Sequence, residues 1–228
     1  MIIDNKRINI FCGHFGSGKT EIAVNYALKL NEARGNTAIA DIDIVNPFFR
    51  TADAKKTLEQ LGIKVILPVY ANTNVDVPAL PAELNALIEN SIYNVVLDVG
   101  GDDLGAKAIG RYSKDISVQD YNFYIVVNTN RPLTNEAGKI IKMIDEIEHS
   151  AALKTTGLIN NANFLQATTY EDIKRGYDIL HEVSNKLKTE IAFSCIDLDS
   201  AAVEQLNEEN IKDIGDILFL KRNILVPF

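Results

Sequence analysis

Cysteine is nearly absent from this chain of 228 residues, which carries only Cys12 and Cys195. Two cysteines so far apart make no disulfide framework; they read as small core residues and point to a reducing, cytoplasmic setting. No stretch approaches the ~20 consecutive apolar residues of a membrane span, and the N-terminus lacks the basic, then apolar, then small-residue layout of a signal peptide. Low-complexity tracts, internal repeats and Gly/Pro/Ser linkers are missing too, so nothing argues for a domain boundary. Positive charge is in deficit, with 23 Lys and Arg against 31 Asp and Glu for a net charge of −8. That balance disfavours nonspecific nucleic-acid binding.

What is present is a regular alternation. Runs rich in Val, Ile and Phe recur at Arg7–Cys12, Asn36–Asp43, Ile63–Leu67, Asn94–Asp98, Asn122–Asn128, Thr156–Asn160 and Glu190–Cys195. Several are continuously apolar, as strands covered on both faces must be. Between them lie segments with apolar residues three and four apart, clearest at Lys19–Ala33, Asn135–His149 and Thr169–Lys188. Strand and helix in alternation predict a doubly wound, mostly parallel α/β sheet in three layers, and residues 1–228 are expected to form one domain.

Between the first strand and first helix stands Gly13-His14-Phe15-Gly16-Ser17-Gly18-Lys19-Thr20, a full match to G-x-x-x-x-G-K-[ST]. Gly13, Gly16 and Gly18 allow the backbone to turn its N–H groups into one concavity, and Ser17 completes the loop. An anion there also meets a helix N-terminus. Lys19 is placed to reach the β- and γ-phosphates and the Thr20 hydroxyl to ligate Mg²⁺.

Ligands of parallel sheets gather at the carboxyl ends of strands, so acidic residues there stand out. One strand ends Asp41-Ile42-Asp43 and another Asp98-Val99-Gly100-Gly101. Asp98 has the form of a carboxylate that holds Mg²⁺ through water, and Gly101 can offer an N–H to the γ-phosphate. Asp41 and Asp43 alternate, so in an extended strand only one faces a given side. One can serve the metal's water shell and the other the attacking water.

With these three segments in this order, the chain resembles the MinD/ParA group of P-loop ATPases, relatives of the nitrogenase iron protein and the arsenite-pump ATPases. The resemblance spans most of the chain and implies ATP and Mg²⁺ as cofactors. It implies Asp43 as the water-positioning residue beside catalytic Lys19, Asp41 in the magnesium shell with Thr20 and Asp98, and Asn160 as the adenine reader. Without paired cysteine motifs, an intersubunit iron–sulfur cluster is not expected. In place of the family's second loop lysine, which reaches the partner's phosphates across a dimer, stands His14. A nucleotide-dependent switch acting on an unidentified protein partner is therefore the leading expectation, with an ATP-dependent homodimer less supported. The rivals on the same fold are an ATP-dependent small-molecule ligase or kinase, like dethiobiotin or cobyrinic acid amide synthetases, and a non-hydrolysing maturation scaffold.

Four further features carry expectations. Asn46-Pro47-Phe48-Phe49-Arg50 offers a partner-contact surface or a pin to the core, with Arg50 a candidate charge-stabilising finger. Tyr70–Asp76 is polar enough to line an acceptor pocket. His149 and His181 are expected on helix surfaces. The tail Ile211–Phe228 is expected to pack on the sheet, and membrane association through it is not expected.

Overall fold

The computed structural model describes residues 2–43, 51–68, 82–101 and 103–223. Among the described residues eight parallel strands form one sheet: β1 (Ile8–Cys12), β2 (Thr37–Asp41), β3 (Lys64–Ile66), β4 (Asn94–Asp98), β5 (Tyr121–Val127), β6 (Gly157–Asn160), β7 (Glu190–Asp197) and β8 (Ile217–Leu220). Their order is β3-β2-β4-β1-β5-β6-β7-β8. The chain first winds one way from β1 and then the other, which leaves a crevice at the carboxyl ends beside β1.

Alternation along the strands makes the three layers. Ile8, Ile10 and Cys12 of β1 and Val95, Leu97 and Val99 beside them join one core, while Phe11 and Val96 join the other. On the second face lie α1 (Lys19–Arg34) and α2 (Thr51–Gln60), through Ile22, Tyr26, Leu30, Ala54 and Leu58. The first face carries α3 (Ala82–Glu89), α4 (Asp103–Gly110), α5 (Ser113–Ser117), α6 (Ala137–Ala151) and α7 (Tyr170–Leu187), and α8 (Glu208–Lys212) follows β7. Ile140, Met143, Ile144 and Ile147 form the buried stripe of α6, the spacing that makes a helix amphipathic.

The expected boundaries shift where local chemistry sets them. Helix α7 starts one residue later than its apolar pattern because Thr169 is its N-cap, closing a capping box with Asp172. The tail departs from expectation: Ile217–Leu220 does not lie on the sheet but extends it, pairing with β7 from Ser194↔Ile217 to Asp197↔Leu220. Phe219 is exposed between buried Leu218 and Leu220, as on a strand at the rim of a sheet. Both cysteines are buried, and burial pushes the Cys12 thiol up to about 12. His149 and His181 lie exposed on α6 and α7. Among the described residues no helix is long and apolar enough to cross a membrane. The segments Asn46–Arg50 and Tyr70–Asp76 lie outside the described residues.

Candidate functional site

Close approach explains the loop between β1 and α1. Gly16 and Gly18 sit at φ 77° and 86°, a left-handed backbone that β-carbons disfavour. A side chain at Gly13 would strike the Val126 carbonyl of β5, and one at Gly18 would strike the Asn161 amide beyond β6. Gly101, after β4, approaches so tightly that a β-carbon would fall on the Gly13 carbonyl and 2.7 Å from the His14 nitrogen. The loop is therefore wedged between three strand ends. The Ser17 N–H donates to the His14 carbonyl at 3.1 Å, closing a tight turn, while the buried Ser17 hydroxyl has no partner. Helix α1 begins at Lys19 with no side-chain cap, so its first N–H groups and positive dipole end meet whatever the loop holds.

Beside the loop the acidic strand ends converge. Asp41 and Asp98 face each other across the β2–β4 ladder, and the Ile42 N–H donates to the Asp98 carbonyl at 2.7 Å. Strand β2 ends at Asp41, so Asp43 escapes strict alternation, and its N–H turns back to Asp41 Oδ1 at 2.9 Å. The Asp43 carboxylate then forms a buried ion pair with Lys19, Oδ2 to Nζ 2.7 Å. Thr51 at the start of α2 donates to Asp98 Oδ2 at 3.4 Å, and the Thr20 hydroxyl also lies against this carboxylate. Asp98 Oδ1 is buried without a hydrogen-bond partner.

The electrostatics follow from burial. Desolvation lifts Asp41 to about 8, with the Asp98 charge adding to it. It also lifts Asp98, to about 6, against the pull of the Lys19 charge and the Thr20 and Thr51 hydroxyls. Burial alone would lower the Lys19 ammonium, but Asp98 and Asp43 outweigh it and hold the group above its ordinary value. A buried pocket with carboxylates in excess, and an orphaned carboxylate oxygen, fits a hydrated divalent cation shared with phosphate oxygens. Among the described residues no group of three or more His, Cys, Asp or Glu could hold a metal alone. Such a cation would thus depend on Thr20, Asp98, Asp41, water and the ligand's own phosphates.

Asn160 ends β6 with its side chain engaged by the fold. It is fully buried, and its amide donates to the Ile173 carbonyl at 2.9 Å and the Ser194 hydroxyl at 3.2 Å, while its oxygen accepts from the Ala162 N–H. Its neighbour Asn161 donates to the Ser17 carbonyl at 2.6 Å and keeps a buried oxygen unpartnered. The sequence reading missed Asn161 and also Arg131, whose Nε donates to the Gly16 carbonyl at 3.2 Å. The signal available was position alone: both follow the ends of strands, where ligands of such sheets gather.

On the far side of the loop, His14, Phe15 and Gly101 border a cleft of about 630 Å³ whose other walls are Ala106, Met143, Glu146, Ile147 and Ser150. Burial lowers His14 below its ordinary value despite the nearby Glu146 carboxylate.

No family model matches the chain, and no curated protein matches it in sequence. Solved structures do match in shape. The cell division protein FtsY of Thermotoga maritima aligns with 86% of this chain and 64% of its own at 17% identity and a TM-score of 0.53. FtsY of Mycoplasma mycoides aligns with 85% of this chain and 61% of its own at 16% identity and a TM-score of 0.51. The chain thus spans less than two thirds of each neighbour. At such identities shape alone is shared: a parallel α/β sheet of the P-loop fold.

Proposed function

We propose that this chain is an Mg²⁺-dependent ATPase of the MinD/ParA kind, a nucleotide-operated switch that acts on a protein partner. The observation that carries the reading is the convergence of Lys19, Thr20, Asp41, Asp43 and Asp98 beside the glycine loop. When bound, the cation neutralises phosphate charge as the terminal bond breaks. Thr20 would hold it directly, with Asp98 and Asp41 ordering its water shell.

Lys19 is held by Asp43 and must leave it to reach the β- and γ-phosphates. That exchange frees the Asp43 carboxylate to orient a water for attack. Gly101, packed on the loop, passes the state of the γ-phosphate into α4. His14 stands where the family's second loop lysine would reach a partner's phosphates, so hydrolysis is slow alone and accelerated by a protein partner rather than by a second copy of the chain. Adenine is the expected base, because the Asn-Lys-x-Asp guanine signature is missing from the sequence. By the same resemblance Asn160 is the proposed adenine reader, and it would have to exchange its contacts with Ile173 and Ser194 to do so, while Asn161 brings an unpartnered acceptor to the loop.

The cleft beside His14 and Phe15 favours one second reading, transfer of the γ-phosphate to a small acceptor as in ligases and kinases of this fold. Product analysis separates the two: free phosphate without an added acceptor supports the switch. The primary test is calorimetry with Mg·ATP on wild type and Lys19→Ala. Affinity should fall at least about 100-fold in the variant, because the committed loop cation is lost. Unchanged affinity, or GTP bound as tightly as ATP in competition, would overturn the reading.

A further inference from the structure

Three cationic or partly cationic side chains lie at the glycine loop among the described residues, and two are compromised. Lys19 is paired with Asp43. His14 is lowered by burial. The third is Arg131, in the loop after β5, exposed to solvent and without a carboxylate partner among the described residues. Its Nε donates to the Gly16 carbonyl, and Nε, Cζ and Nη2 all lie 3.3–3.5 Å from where a Gly16 β-carbon would stand.

We propose that Arg131 is a positioning residue for the polyphosphate, fixing the loop apex and supplying a permanent positive charge in cis. The inference rests on the nucleotide reading above. Gly16 is left-handed, so its carbonyl turns outward, and an unanchored peptide there can rotate. A charge-assisted hydrogen bond holds that peptide more firmly than a neutral one. Guanidinium is always protonated and presents a fork of donors, so one N–H can stay on Gly16 while others remain for a phosphate oxygen. Three carboxylates, Asp41, Asp43 and Asp98, lie at the same end of the sheet. Because Lys19 is committed to Asp43 there, a polyphosphate arriving at this end meets no readily available positive charge from the loop itself, which makes the Arg131 cation at the apex effective.

The test compares wild type, Arg131→Gln, Arg131→Lys and Lys19→Ala by calorimetry with Mg·ADP, Mg·ATP and AMP at low and high salt, with melting temperatures measured in parallel. Arg131→Gln, which can still donate to Gly16 but carries no charge, should bind ADP and ATP roughly tenfold more weakly at low salt. The loss should shrink at high salt, be smaller for AMP, and be largely restored by Arg131→Lys, with melting unchanged. Affinity within twofold of wild type would overturn the proposal. So would a loss equal for AMP and ATP, or one that lysine does not rescue, since either would mark simple packing. If Lys19→Ala binds normally, or wild type binds no nucleotide, the nucleotide reading itself fails and takes this inference with it. A damaged Lys19→Ala beside a normal Arg131→Gln sinks the inference alone.

Discussion

Around β1, the two ends of the sheet bury polar groups in opposite ways. At the amino end, Asn9 on β1 accepts from the Tyr26 hydroxyl at 3.0 Å and from Asn122 at 2.9 Å, and Asn122 also donates to Asp4. Nearby, Arg7 donates to the Leu87, Ile88, Asn90 and Tyr93 carbonyls around the end of α3, and also to Gln119. Those carbonyls would otherwise lack partners, and the cation suits the negative end of a helix. Every one of these groups has its complement within the chain. At the carboxyl end, Ser17 Oγ, Asp98 Oδ1 and Asn161 Oδ1 are buried without one, and Asp41 is pushed far up. Leaving such groups unmade costs about 1–3 kcal/mol each. The closed end is satisfied within the chain; the open end presents polar groups that the chain itself does not satisfy.

The contrast can be broken most sharply at Asp43. Asp43→Ala should lower turnover at least about 100-fold while leaving ATP affinity unchanged or a few-fold tighter, since water orientation acts in the transition state and Lys19 is released. Single-turnover hydrolysis and calorimetry together check it; equal turnover would assign the water to another residue.

A smaller effect is expected at Asp41, read in chelator. Asp41 is lifted to about 8 in the fold from an unfolded value of about 3.9. A carboxylate raised in this way favours the folded state when protonated and opposes it when ionised. Its cost therefore grows as pH rises from about 4 and is complete above 8. Asp41→Asn, which keeps an oxygen for the Asp43 N–H, should be more stable than wild type by about 1–3 kcal/mol at pH 8.5, with the gain vanishing near pH 4. Urea unfolding at both pH values measures it. A variant less stable at high pH would mean that this end is as closed as the other.

The smallest effect belongs to the closed end. Tyr26→Phe should cost about 1 kcal/mol, the usual worth of one hydrogen bond, with nucleotide affinity unchanged. Asn9 keeps its bond from Asn122. A change in affinity would show that the two ends communicate through β1.

The glycine loop and the strand–helix alternation were legible because they are local. The positions of β1, β4, β5 and β6 follow from continuous apolar runs, and the loop from a fixed spacing of glycines before a lysine. Strand β8 was not legible, because four consecutive apolar residues in a mixed tail read equally as surface packing until β7 offers them a partner. Asn160 and Asn161 are adjacent and chemically identical, and only the packing of α7 and β7 turns one inward while the other meets Ser17.

The sequence by itself determined the architecture and the loop, since hydrophobic period and backbone freedom act over a few residues. Tertiary structure decided which carboxylate meets Lys19, which asparagine reaches the loop, and that Arg131 stands on Gly16. These contacts join residues far apart in the chain. Their energies come from desolvation and distance, which exist only once the strands lie side by side.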